Sequence, residues 1–478
     1  EIHERLVGSE MCIRDRCDHA IAHGTAENGK TIYAYGGDHG EEIHDGNFCM
    51  DGLVYPDRTV HTGLLEYKNV YRPVRVVSYD KESGELVLHN YMDFDDLKDY
   101  VKISYELTQD GLVISKDILS EFSVVPHGEG KTNLKISVPE NGKCYLKLIY
   151  HLKKELPLLD EDHILGFDEI EVSKDDAKCK LAEKWMQKTA VDSELQVNEN
   201  DTQIHIKGRE FAYTIDRRTA LFTEMKFAGR EYLNHPMELN IWRAPTDNDM
   251  YIKAEWKKAH YDKAYTRAYT TEVVQGKHGV KIVSHASVVA ETVQKILDVT
   301  ITWKIDASGK IDADIEATKD GEFPDLPRFG VRMFLDKKLS DARYFGMGPQ
   351  ESYRDKHQAA SHGLYRANVR DLHEDYIRPQ ENGSHYDCGY VELNNSRYGI
   401  VASAEKAFSF NASYYTQEEL EKKTHNYELA ESDSVVLCVD YALNGIGSNS
   451  CGPVVLDQYR FNDVLFRFRF TLIPYVKG

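Results

Sequence analysis

The side chains able to do chemistry crowd into residues 35–59. This run holds Tyr35-Gly36-Gly37-Asp38, then Glu41, Glu42, His44 and Asp45, then Asn47-Phe48-Cys49-Met50-Asp51-Gly52. Turn formers punctuate it and its flank, at Glu27-Asn28-Gly29, Asp45-Gly46-Asn47 and Pro56-Asp57. A long loop with this many turns is a form usually reserved for function. Glu41 and Glu42, with Glu351 and Glu381 further on, are the acids that could be offered for acid–base work. Each reads better as a solvated or hydrogen-bonding loop acid, so no catalytic residue is assigned. On residue type alone, Phe48 reads as a core aromatic.

The elements that must position this run are mostly strands. After about residue 70 come short β-rich runs at 74–79, 85–90, 102–107 and 144–150, several of them separated by turns such as Gln109-Asp110-Gly111 and Glu140-Asn141-Gly142. About a hundred residues of this kind predict a small antiparallel sandwich. A charged stretch at 173–193, amphipathic around 181–186, reads as a linker. Strand patterns then continue to the end of the chain, for example at 202–207, 280–283, 299–305 and 465–470. The last alternates strictly, placing Leu465, Arg467 and Arg469 on one face and Phe466, Phe468 and Phe470 on the other. So long a strand-rich stretch predicts one large two-sheet sandwich. Helices are expected at 249–258 and 417–423.

Composition narrows the partners. The 478 residues carry a formal charge of −20, which repels a phosphate backbone and excludes nucleic acid. Hydrophobic residues at 41% suffice for globular cores, and the length predicts two or more domains. The 30 tyrosines, most of them ordinary strand residues, also offer flat rings with a hydroxyl handle, which suit sugar faces. Eight cysteines without a C-x-x-C pair give no zinc ribbon and no disulfide framework, and fit reduced thiols in a cytoplasm. No apolar run approaches the ~20 residues that span a bilayer, so no membrane partner is expected. Residues 6–16, Leu-Val-Gly-Ser-Glu-Met-Cys-Ile-Arg-Asp-Arg, read as a translated sequencing-library adapter, and 1–16 are set aside from fold reasoning.

Four further blocks recur in order. Trp242-Arg243-Ala244-Pro245-Thr246-Asp247-Asn248-Asp249 resembles an R-A-P-x-D-N-D signature, and Gly346-Met347-Gly348-Pro349-Gln350-Glu351-Ser352-Tyr353 a G-x-G-P-x-E-x-Y block. Pro379-Gln380-Glu381-Asn382-Gly383 matches P-x-E-N-G, and Gly445-Ile446-Gly447-Ser448-Asn449-Ser450-Cys451-Gly452-Pro453 a terminal glycine-rich loop. Together with the 35–59 run they resemble the glycoside hydrolase family 2 β-galactosidases over nearly everything after Cys17. The resemblance implies a mainly β fold: a remnant of a (β/α)8 barrel at 17–66, an immunoglobulin-like sandwich at 67–175, a linker at 176–193, and a galactose-mutarotase-like supersandwich at 194–478.

The same resemblance implies retaining hydrolysis of terminal β-galactosides such as lactose, by two carboxyls about 5–5.5 Å apart. In the family both come from earlier barrel strands, and no segment here matches either, so the chain is expected to be inactive alone. What it implies for this chain is a substrate wall of Asp18, His19, Asp45 and Cys451. Phe48, through its carbonyl, and Asp51, through its carboxylate, stand where a Na⁺ or K⁺ ion is held. His44 stands at a second Mg²⁺ position, and Gly330 at the base of a mobile loop. Cys451 replaces a stacking Trp of one member, which makes the aglycone side less aromatic. The intact parent is expected to be a homo-oligomer. Two other classes stay open: a non-catalytic complementing small subunit or carbohydrate-binding module, and an aldose epimerase, for which no His/His/Glu set stands at a matching motif.

Overall fold

The alternation read at 465–470 sets the last strand, Leu465–Val476, into the centre of the largest sheet. Phe466, Phe468 and Phe470 are buried, while Arg467 and Arg469 face solvent and both reach the carboxylate of Asp314 on the neighbouring strand Ile311–Lys319. The computed structural model describes residues 17–120, 122–174, 177–186, 194–447, 449–450 and 452–477. The segment read as adapter and the position of Cys451 lie outside the described residues.

Two separate apolar cores organise the described residues. The first lies between a sheet of Val74–Tyr79, Glu85–Asn90 and Glu129–Asn133 and a sheet of Leu112–Ile118, Val101–Gln109, Cys144–Leu152 and Ile164–Glu171. Leu86, Leu88, Ile103, Leu146 and Leu148 fill it with inward-facing, alternate residues. The second is much larger and joins a five-stranded sheet, from Gln196–Glu199 to Arg230–Glu231, to a twelve-stranded sheet that carries the rest of the chain. The strand pairs of both sandwiches are antiparallel.

Part of the stretch expected as a linker is packed structure. The helix Lys180–Met186 buries Ala182, and with Cys179 it closes a small cluster with Tyr145 of the first sandwich and Phe345, Tyr390, Val401 and Ile473 of the second. Its apolar face therefore wedges the two sandwiches together. Two expected helices form at Ile252–Lys258 and Gln417–Lys422. The second starts at Thr416, whose side chain accepts from Glu419 N–H. The helix Thr62–Val70 was not expected, and it crosses the boundary drawn at residue 66.

Gly330 also departs from its expected role. It lies inside the strand Arg328–Asp336, paired with Asn240 on one side and Asp440 on the other, rather than at the base of a loop. A Cβ there would stand 2.2 Å from the Val439 carbonyl, so close backbone approach explains the glycine.

Candidate active-site rim

Residues 17–61 fold as a chain of turns with one short hairpin, Ile21–Thr25 against Thr31–Ala34. Cys17 and Val54 form a parallel bridge, unlike the antiparallel sandwiches. Gly52 permits this contact, since a Cβ there would meet Asp18 N at 2.3 Å. Asp18 locks it: Oδ1 accepts from Gly52 N–H at 2.8 Å and Oδ2 pairs with His61 Nε2 at 2.9 Å. Asp18 is buried, so its carboxylate serves this clamp rather than facing a sugar. His19 is exposed, and its N–H donates to Cys49 O at 2.9 Å.

The expected core aromatic, Phe48, is 53% exposed, so its ring is not part of a core. It sits in the short 3-10 turn Gly46–Cys49, whose N-cap is Asp45. Asp45 is exposed, and its carbonyl accepts from Phe48 N–H at 3.2 Å. Asp51 is half-buried next to the clamped Gly52. The neighbour Asn47 donates through Nδ2 to Asp247 Oδ1 at 2.8 Å, tying this turn to the large sandwich.

The four C-terminal sequence blocks meet behind that tie. Arg243 is fully buried and grips Asp249 with two hydrogen bonds, at 2.7 and 3.1 Å, and also donates to Gly445 O at 3.0 Å. Asn248 Nδ2 donates to Ile446 O at 2.8 Å, and Asp355 accepts from the N–H groups of Ile446 and Gly447 at 3.0 and 2.8 Å. The glycine-rich loop is thus held from two sides. Glu381 N–H donates to Ala244 O at 3.0 Å, and Gln380 bridges to Asp247.

Both glutamates of these blocks are interior groups. Glu351 Oε1 accepts from Lys356 at 2.5 Å, Tyr376 at 2.7 Å and Thr62 at 2.9 Å, and Oε2 from Gly383 N–H at 2.7 Å. Burial pushes its carboxyl up, but the Lys356 charge and these hydrogen bonds outweigh that and bring it to about 2. Glu381 pairs with Arg328 at 3.3 Å, and Arg328 also pairs with Asp440; all three are buried. Burial raises the Glu381 carboxyl above its ordinary value despite Arg328, and its Oε1 has no partner among the described residues. Neither is placed to reach a sugar. Glu41 is fully exposed and held below the usual carboxylate range by the N–H groups of Gly37 and His39.

Glu374 carried no signal in the sequence. It accepts from Tyr55 OH at 2.6 Å, and burial raises its carboxyl. Tyr55 in turn stacks on His61, ring centres 3.7 Å apart, and this joins the Asp18 clamp to the large sandwich.

The family model described as "Beta galactosidase small chain" matches residues 207–472. The chain belongs to the β-galactosidase family. Models for "Glycosyl hydrolases family 2, TIM barrel domain" and "Beta-galactosidase, domain 4" match residues 8–76 and 86–173. The first of these reaches back to residue 8, inside the stretch read as adapter. The β-galactosidase of Actinobacillus pleuropneumoniae is 44% identical over 459 residues, covering 96% of this chain and 44% of that protein. The β-galactosidase of Staphylococcus xylosus is 33% identical, covering 95% and 45%. The chain therefore spans less than half the length of these relatives. A galactose 1-epimerase from Lactobacillus acidophilus NCFM superposes with a TM-score of 0.33 at 8% identity, over 59% of this chain and 99% of that one, a likeness too distant to carry an argument. No helix among the described residues is long and apolar enough to cross a membrane.

For the ions that this family implies, donor chemistry separates the two positions. A carbonyl at Phe48 and a carboxylate at Asp51 are hard oxygen donors and fit a Na⁺ or K⁺ ion as part of a ligand set. His44 does not fit Mg²⁺. Its Nδ1 accepts from Gly46 N–H at 3.1 Å, and its imidazole lies against Gly37, where a Cβ would come within 2.6 Å of the ring. Among the described residues no three His, Cys, Asp or Glu side chains gather as a metal cage.

Proposed function

We propose that this chain forms the substrate-site rim of a retaining β-galactosidase acting on lactose-like β-galactosides. The turn at Gly46–Cys49 presents Phe48 and Asp45 outward, while Asn47 anchors it to Asp247. The single observation that carries the reading is this tie, because it fixes a barrel-derived turn against the small-chain signature block. A cation held at Phe48 and Asp51 would supply a positive charge for a sugar hydroxyl; the chain's own part is to hold those oxygens in place.

Cleavage needs one carboxyl kept protonated and one ionised, facing each other across the glycosidic bond. The buried Glu351 and Glu381 are each committed to an internal cation, so we assign no catalytic residue and expect the purified chain to have no hydrolase activity. A chromogenic β-galactoside assay tests this, and steady turnover by the chain alone overturns it. The description of the matching small-chain model favours one second reading, a subunit that complements a separate large chain. Mixing with such a chain should then restore activity; no gain over the large chain alone discards that reading.

A further inference from the structure

A cavity of about 670 Å³ opens at the far end of the large sandwich, well inside the size range of small-molecule sites. It lies where the helix Lys180–Met186 crosses the strands Asp341–Gly348, Ser384–Asn394 and Leu465–Val476. The strand Ser384–Asn394 begins beside Gly383, at the Glu351 network under the rim, and reaches the cavity at Tyr390. That run is roughly 20 Å at about 3.3 Å per residue, so the cavity is separate from the rim.

Its walls combine flat rings with a surplus of cations. Trp185 and Tyr475 stand with ring centres 5.5 Å apart and planes tilted by 34°, and Tyr390 adds a third ring. Tyr475 OH donates to Glu392, which pins that carboxylate as an acceptor. Lys184, Arg343 and Arg366 line the same cavity against one lining carboxylate, Glu392, which stands opposite Arg343 across the strand pair, while Arg366 also meets Asp341 at 3.5 Å. In a chain of net charge −20, a lining with more cations than carboxylates beside aromatic rings favours an anionic ligand.

We propose that this cavity is a second saccharide site, for a pyranose carrying a carboxylate or phosphate. The apolar face of the pyranose covers Trp185 and Tyr475, its hydroxyls donate to Glu392, and its anionic group meets Arg343 and Lys184. A flat aromatic acid satisfies the rings and the cations, but it offers Glu392 no hydroxyl.

The structure supplies its own reporter. Trp242, Trp256 and Trp303 are buried, while Trp185 is half-buried at the cavity. Titration of the whole chain with galacturonate, galactose 6-phosphate and neutral galactose should therefore be read by tryptophan fluorescence. A saturable change is expected with at least one anionic sugar, and the responding sugar identifies the anion preferred. Galactose should be at least roughly tenfold weaker, the factor expected for losing one charge-assisted contact. Trp185→Phe should abolish the signal, and Arg343→Gln should raise the midpoint by roughly tenfold without changing the melting curve. Should Arg343→Gln fail to fold, the exposed Lys184→Gln is read instead, with a smaller rise. No saturable change with either anionic sugar, an equal response to galactose, or midpoints unmoved by these substitutions overturns the proposal.

Discussion

Residues 17–70 and the large sandwich hold their shape by different physics. None of the apolar clusters among the described residues contains a residue before Val74. The early segment is instead stitched to the sandwich by polar contacts. Asn28 reaches Tyr427 O, Lys30 reaches Asp375, Asp38 reaches His425, Tyr55 reaches Glu374 and Glu66 reaches the N–H groups of Gln358 and Ala359. The sandwich has a continuous core, and its signature blocks are buried ion pairs and loop clamps within it. The residues that spell the family are thus mainly scaffold, whereas those proposed to meet substrate ride on a segment whose order is borrowed. Breaking the scaffold should undo both regions; breaking a stitch should release the rim alone.

The largest effect is expected at Arg328. Arg328→Met leaves Asp440 and Glu381 buried without their cation, a loss of about 3–5 kcal/mol. Denaturant unfolding of the sandwich should shift to clearly lower midpoint, and the early segment should lose protection with it. A midpoint unchanged from the parent would mean that the two regions are not related as scaffold and passenger.

Glu351 comes next, because it touches both regions at once through Thr62 and Lys356. Its folded carboxyl titrates near 2, below its ordinary 4.5. A depressed carboxylate contributes stability that is present above about pH 4.5 and is lost as the pH falls towards about 2. Glu351→Gln should flatten this acid limb and speed proteolysis within residues 17–70 at neutral pH. An acid limb equally steep in the variant would assign it to other carboxylates.

How much of this was legible in the sequence follows the same division. Alternation at 465–470 gave the faces of a central strand, because it is a local pattern. The signature blocks pointed to the family, yet nothing local said that Glu351 and Glu381 face inward. Their partners Lys356, Tyr376 and Arg328 are brought in by the fold. Asp18 was misjudged for the same reason, since its partners Gly52 and His61 lie well along the chain. Gly330 carried no turn signal, and its cause, the Val439 carbonyl, lies on the neighbouring strand. The helix Thr62–Val70 escaped because Gly63 stands in its first turn and its faces are weakly segregated.

His362 sharpens the comparison, since it joins two regions that each own a core. It lies between Glu169 of the first sandwich, at 2.7 Å, and Asp387 of the second, at 2.9 Å, and stacks on Tyr145 with ring centres 4.0 Å apart. Burial pushes the imidazole down, but the hydrogen bonds and charges of Asp387 and Glu169 prevail and bring it to about 9. A raised histidine contributes stability that is complete below about 6.5 and is lost as the pH rises through about 9. Lys147, at 2.8 Å from Ser361 Oγ, is the neighbouring cation on the same junction, and burial lowers its pKa. Hydrogen exchange along Ile164–Glu171 should therefore quicken between pH 7 and 9 more than the intrinsic rate, and His362→Gln should remove the excess. An excess that survives the substitution would transfer the effect to Lys147.

The smallest effect is the most local. Asp247→Ala removes the acceptor of Asn47 and one partner of Gln380, both at the surface. The cost is one exposed hydrogen-bond pair, about 0.5–1 kcal/mol, spent on the turn rather than on either core. Global unfolding should then stay within error of the parent, while protease cleavage in residues 44–50 speeds up by a few-fold. Asn47→Ala should reproduce that change, and the double variant should add nothing, because both cut the same contact. Additive effects would mean that Asp247 and Asn47 hold the turn through separate partners, and the tie proposed to place Phe48 would lose its standing.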